Sequence, residues 1–209
     1  MKTDDLIMAL AADSRPPGDL RRSLALALAA GAIVAGAVFF ATIGFRSDID
    51  SAARTLRFLF KFVLTLSLAA AAIGVAWRIG RPGMDLPVWT LAVPPVLLAG
   101  AVGLELLAMP DTLWMPRLIG TNALHCVTTI PLLSIPTLAA LLYALRGGAP
   151  SSPALAGAVA GLAASGIAAT YYASNCTDDS PLFVAIWYTI AVLLVTAAGA
   201  LLGRSLLRW

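Results

Sequence analysis

The stretch Leu24-Ala-Leu-Ala-Leu-Ala-Ala-Gly-Ala-Ile-Val-Ala-Gly-Ala-Val-Phe-Phe-Ala-Thr-Ile-Gly44 runs for 21 residues without a charged side chain. A helix of about 20 apolar residues, rising about 1.5 Å per residue, covers the roughly 30 Å hydrocarbon core of a bilayer. In lipid, backbone groups must pair within their own segment or within a closed barrel. Unbroken apolar runs are not the alternating pattern of barrel strands, so the helical reading follows. Five further segments meet the same criterion: Phe58–Trp77, Pro87–Met109, Ala123–Leu145, Pro153–Tyr172 and Pro181–Leu202. The predicted fold is an all-α integral membrane protein. Residues 24–209 form a bundle of six transmembrane helices, and residues 1–23 form a cytoplasmic segment with a short N-terminal helix.

Composition agrees. The chain has 209 residues, of which 60% are hydrophobic and 12% charged, with a mean hydropathy of +0.89. A soluble domain carries roughly 25% charged residues, so lipid must cover the rest of this surface. One His and two Cys exclude a zinc site built from Cys and His alone, which needs about four ligands. No cleavable signal peptide is expected, because residues 1–23 are polar and the following apolar run exceeds a signal core of about 7–15 residues.

Orientation follows from Lys and Arg. With the N-terminus inside, the inner segments hold Lys2, Arg15, Arg21, Arg22, Arg78, Arg81, Arg146, Arg204 and Arg208. The outer segments hold Arg46, Arg54, Arg57, Lys61 and Arg117. Nine against five favours a cytoplasmic N-terminus, and six spans return the C-terminus to the cytoplasm. The loop with Asp178 and Asp179 is the clearest outer marker. Gly157, Gly161 and Ser165, like Gly199 and Gly203, recur at four-residue spacing. Such faces let helix backbones approach closely, within one bundle or between copies of the chain.

This topology brings the two cysteines to one boundary. Cys126 opens the fourth span and Cys176 follows the fifth. One reading is two small apolar residues or a fixed disulfide. The other is a redox- or metal-responsive pair, which needs exposed, ionisable thiols. His125 beside Cys126 is a candidate to lower a thiol pKa or join a soft-metal site. Glu105 is an intramembrane carboxylate, costly unless functional, yet about one turn from the end of its span. Pro94-Pro95, Pro131 and Pro136 predict kinks. At the N-terminus Thr3 caps a helix with Asp4 and Asp5 in its first turn and Leu6, Ile7 and Leu10 on one face. About ten residues do not fold alone, so this face is expected to dock on a protein partner. No serine–histidine–aspartate arrangement and no phosphate-binding glycine loop occurs, and no enzyme is expected. The rival reading is a small transporter or channel using Glu105 and the kinked spans.

Several of these segments resemble the NrsF family of six-span membrane anti-sigma factors. They are the opening Met1-Lys-Thr-Asp-Asp-Leu-Ile-Met-Ala-Leu-Ala-Ala-Asp13; Leu124-His-Cys126 with Pro131, Ser134 and Pro136; Leu145-Arg-Gly-Gly-Ala-Pro150; Cys176-Thr-Asp-Asp-Ser-Pro-Leu-Phe183 with Trp187-Tyr188; and Leu207-Arg-Trp209. One departure is Asn175, where the family leads us to expect His before the second cysteine. It weakens a metal-binding version of the site more than a thiol–disulfide version. The resemblance implies a negative regulator of an extracytoplasmic-function sigma factor in a bacterial inner membrane. The N-terminal segment would hold the sigma factor, and a heavy metal or oxidant reaching the outer cysteines would release it. No cofactor is required on this reading; a heavy-metal ion enters only transiently, as signal. The bilayer is a further partner, no nucleic acid is bound directly, and association between copies of the chain stays open.

Overall fold

The computed structural model describes residues 20–79, 87–148 and 150–208. Each long apolar segment closes its own hydrogen bonds as a helix, as a lipid environment demands. Six helices are long and apolar enough to cross a membrane: α1 (Leu20–Thr42), α2 (Leu56–Ile79), α3 (Val88–Ala108), α4 (Ala123–Leu145), α5 (Pro153–Ala173) and α6 (Pro181–Leu206). No strand occurs among the described residues. Short helices Ile49–Ala52 and Trp114–Ile119 lie in the α1–α2 and α3–α4 connections. These connections share one end of the bundle with the loop from Ser174 to Ser180. The expected N-terminal helix, with Asp4, Asp5, Leu6, Ile7 and Leu10, lies outside the described residues.

The spans agree with the sequence reading except at their ends. Helix α1 is already formed at Leu20, ahead of the expected Leu24, and α6 runs to Leu206 rather than Leu202. Arginines at a helix end keep their heads in water while the backbone continues. Arg21 does this with its guanidinium 5.4 Å from the Trp77 ring centre. Pro94-Pro95 lies where α3 changes from a 3-10 turn to regular α-helix. The 3-10 turn over Val88–Ala92 opens α3, and the two prolines fall in the first turn of its regular part, where a missing N–H costs nothing. Pro131 and Pro136 do lie inside α4.

Helix α5 is the axis of the bundle. It packs against α6, α2 and α4, and small residues make that possible. A Cβ on Gly157 would collide with the Gly199 carbonyl of α6, and one on Gly161 would stand 2.7 Å from the Val195 carbonyl oxygen. The small-residue faces are thus used inside one chain. Hydroxyls add cross-links: Tyr171 donates to the Ala32 carbonyl of α1 at 3.0 Å, and Thr170 to Thr65 of α2 at 3.0 Å. Large apolar side chains such as Ile33, Leu104, Leu107 and Leu124 point outward. A soluble monomer rarely carries so much exposed apolar surface; a membrane-embedded one must.

Candidate functional site

The site is assembled at the end of the bundle where α5 stops. Its last turn continues through Asn175 and Cys176, both of whose N–H groups reach the Tyr172 carbonyl, each at 3.0 Å. Cys176 is 1% exposed and Cys126 0%. They fall in one buried cluster with Phe39, Ile130, Tyr172, Phe183 and Tyr188. Both are free thiols. The topology therefore brings the pair together, but the thiols are not exposed in this state. Apolar packing encloses Cys126 on α4 while leaving its neighbour His125 on the outer surface, away from that cluster. Burial pushes the Cys176 thiol above its ordinary pKa, opposed in part by the Lys61 ammonium. Thiolate chemistry there requires the loop to open.

Two cations, one on α2 and one in the α1–α2 connection, hold that loop. Lys61, inside α2 and 1% exposed, donates to the Cys176 carbonyl at 2.8 Å and pairs with Asp179 at 2.6 Å. Arg46, just past α1, reaches the same carbonyl at 3.2 Å and the same Asp179 carboxylate at 2.9 Å. Asp48 pairs with the other side of the Arg46 guanidinium at 2.6 Å. That hydrogen bond holds the Asp48 carboxyl below its usual range and, with Asp179, raises the Arg46 pKa further. The Phe58 ring lies under both cations, 5.7 Å from Arg46 and 5.6 Å from Lys61. One carbonyl and one carboxylate thus receive two positive groups in a water-poor corner, where charge-assisted hydrogen bonds are strong.

Asp178 ties the loop to α4. Its carboxylate accepts from the backbone N–H of Thr121 at 2.9 Å, that of Asn122 at 2.8 Å and the Asn122 side-chain amide at 2.9 Å. Gly120 makes this approach possible: it has φ +59°, and a Cβ there would stand 2.9 Å from the Asp178 carboxyl carbon and strike the Phe183 ring. Asn175 donates its amide to the Gly44 carbonyl at 3.1 Å. It is a tie to the end of α1. Among the described residues no group of three or more His, Cys, Asp or Glu converges as metal ligands. A soft ion would have the two thiols and little else.

Glu105 belongs to this same end of the bundle. Its Oε2 accepts from the Ser180 hydroxyl at 2.7 Å and the Leu182 N–H at 3.3 Å, and Oε1 faces Arg57 at 3.3 Å. It caps the start of α6, with its side chain 3% exposed, rather than lining a path across the membrane or anchoring at the water interface. Immediately beyond, Val184–Tyr188 forms a π-helical turn, a widening often found at functional sites. Val184 and Tyr188 from this turn enclose the thiol cluster, while the Trp187 indole donates to the Leu118 carbonyl at 2.9 Å.

Sequence reasoning found the cysteines and missed the clamp. Asp178 and Asp179 read only as outer markers, and Arg46, Arg57 and Lys61 read only as charges against the orientation rule. Lys61, counted with the outer segments although the expected span Phe58–Trp77 contained it, lies buried inside α2. A buried lysine opposite an acidic loop was the available signal, because an intramembrane cation demands a partner.

Comparison with known proteins supplies the family. A family model described as "Negative regulator of sigma F", NrsF, matches residues 10–209. The probable anti-sigma-F factor NrsF of Azospira oryzae and the anti-sigma-F factor NrsF of Caulobacter vibrioides are each 34% identical to this chain over 215 residues, covering 100% of both chains in each case. No solved structure matches. The match spans nearly the whole chain, including both cysteine segments and the clamped loop from Ser174 to Ser180, and the chain belongs to the NrsF family of negative regulators of sigma F.

Proposed function

We propose that this chain is a multi-pass anti-sigma factor of a bacterial inner membrane with both termini in the cytoplasm. On this reading residues 1–23 hold an extracytoplasmic-function sigma factor through Leu6, Ile7 and Leu10, and residues 24–209 carry the signal. The sensing pair is Cys126 and Cys176. Oxidation to a disulfide would transfer two electrons to an oxidant and release two protons; a soft metal ion would instead displace both thiol protons. The observation that carries the proposal is the joint burial of both thiols beneath a loop clamped to α1 and α2 by Arg46 and Lys61. Chemistry at Cys176 must disturb that clamp, and the clamp reaches the helix that leads back to the N-terminal segment. The signal passes only if one packing state grips the partner better than the other.

His125 has no part in the thiol cluster of this closed state. Asn175, already committed to Gly44, favours the thiol–disulfide version over a ligand-rich metal site. The test is co-purification of the sigma factor with full-length protein from membranes. Leu6→Asp with Leu10→Asp should abolish it while membrane insertion is unchanged. Undiminished co-purification would remove the N-terminal segment from the reading.

A further inference from the structure

We propose that the cleft between α2 and α3 is a binding site for one phospholipid with a zwitterionic phosphoethanolamine headgroup. The cleft has a volume of about 560 Å³, large enough for a headgroup and the upper part of an acyl chain. Its walls are Phe60, Val96, Leu97 and Leu104, with Glu105 and Arg57 at the polar end. Helix α3 buries little of itself against the bundle, so the cleft opens sideways toward lipid. Gly100 lines it on an open face of α3, where an added Cβ would meet no atom within 4 Å.

The polar end is what selects the occupant. Glu105 is 5% exposed, and its Oε1 accepts no hydrogen bond among the described residues although it lines the cleft. A buried carboxylate oxygen held by one ion pair, without a hydrogen bond of good geometry, retains a lone pair for a second donor, and a primary ammonium supplies one. The Arg57 guanidinium stands 3.3 Å away with its side chain 46% exposed, leaving N–H groups for a phosphate. A cation and an anion side by side match a phosphate and an ammonium joined by a two-carbon link. Glu105 lies three residues from the end of α3, roughly 4.5 Å along the helix axis, near the depth at which headgroups meet acyl chains. The other Glu105 oxygen caps α6 through Ser180 and Leu182, directly after the clamped loop. Occupancy of the cleft is therefore mechanically adjacent to Cys176.

The experiment is native mass spectrometry of the full-length protein in detergent. It would be titrated separately with palmitoyl-oleoyl phosphatidylethanolamine and the matching phosphatidylglycerol. One added ammonium-to-carboxylate hydrogen bond predicts about tenfold greater retention of the ethanolamine lipid. Glu105→Gln should erase that preference. Because that change also touches the α6 cap, Gly100→Trp provides a second variant, which fills the cleft without altering either charge. It should lower retention of the ethanolamine lipid at least about tenfold while leaving the melting temperature unchanged. Equal retention of the two lipids by the unaltered protein, or undiminished retention in Gly100→Trp, overturns the proposal.

Discussion

Asp179→Asn is the sharpest perturbation of the clamp. Asp179 is a carboxylate shared by Lys61 at 2.6 Å and Arg46 at 2.9 Å. Neutralising it leaves a buried ammonium supported by two carbonyl oxygens, those of Cys176 at 2.8 Å and Asp178 at 3.4 Å. Removing one member of a buried ion pair costs about 3–5 kcal/mol. Asp179 keeps 19% of its side chain exposed, so we take the lower end, about 3 kcal/mol. At about 1.4 kcal/mol per tenfold, the open-loop fraction rises on the order of a hundredfold. The assay uses a Cys126→Ser background, so that Cys176 is the sole thiol, and a small neutral thiol reagent under conditions where loop opening is a rapid pre-equilibrium. The labelling rate of Cys176 then reports the open fraction. Adding Lys61→Met removes the orphaned ammonium and should return most of the increase, since the two sites share one interaction. A rate change below about threefold in Asp179→Asn would show that the clamp does not hold the loop, and the energetic argument would fail.

Two further outcomes follow from the same geometry. Gly157→Leu drives a side chain into the Gly199 backbone and should destabilise the bundle by at least about 1–3 kcal/mol, read as a lower melting temperature in detergent; Gly74→Ala, where a Cβ meets nothing within 4 Å, should melt like the unaltered protein. Burial raises the Cys176 thiol pKa, so the folded chain keeps a proton that the unfolded chain loses above about pH 8.5. Folded protein then binds more protons than unfolded, and stability must fall as pH rises through that window. Melting temperatures measured from pH 7 to pH 10 should decline more steeply for the unaltered chain than for Cys176→Ser, and parallel curves would contradict the assignment.

The sequence made the spans legible because lipid leaves few alternatives: about 20 apolar residues must form a helix with satisfied backbone. It also placed Cys126 and Cys176 at one end, since helix parity alone determines which loops share a side. Their burial was not legible. It depends on Tyr172, Phe183 and Tyr188 closing over them, and on a π-helical turn with no local sequence mark. The clamp was equally hidden, because Lys61 and Cys176 are 115 positions apart and no periodicity links them. Instead, the charges that form it weakened the orientation argument. Arg46, Arg57 and Lys61 each face Asp179 or Glu105, so these cations, counted against the expected orientation, have acidic partners at the same end of the bundle. Pro94-Pro95 shows a local limit of the same kind: the pair sits inside a long apolar run, and its place in the first turn of regular helix depends on a 3-10 turn that the run does not mark.

The central claim is that the two buried thiols act as one sensing unit, and a sigma-dependent transcriptional reporter measured with and without a heavy metal or oxidant tests it directly. Cys126→Ser and Cys176→Ser should each blunt induction. The double variant should be no worse than the more affected single, because two parts of one device do not add. Repression in unstressed cells should survive in all three. Full induction in the double variant would contradict the account and leave Cys126 and Cys176 as packing residues of a membrane bundle.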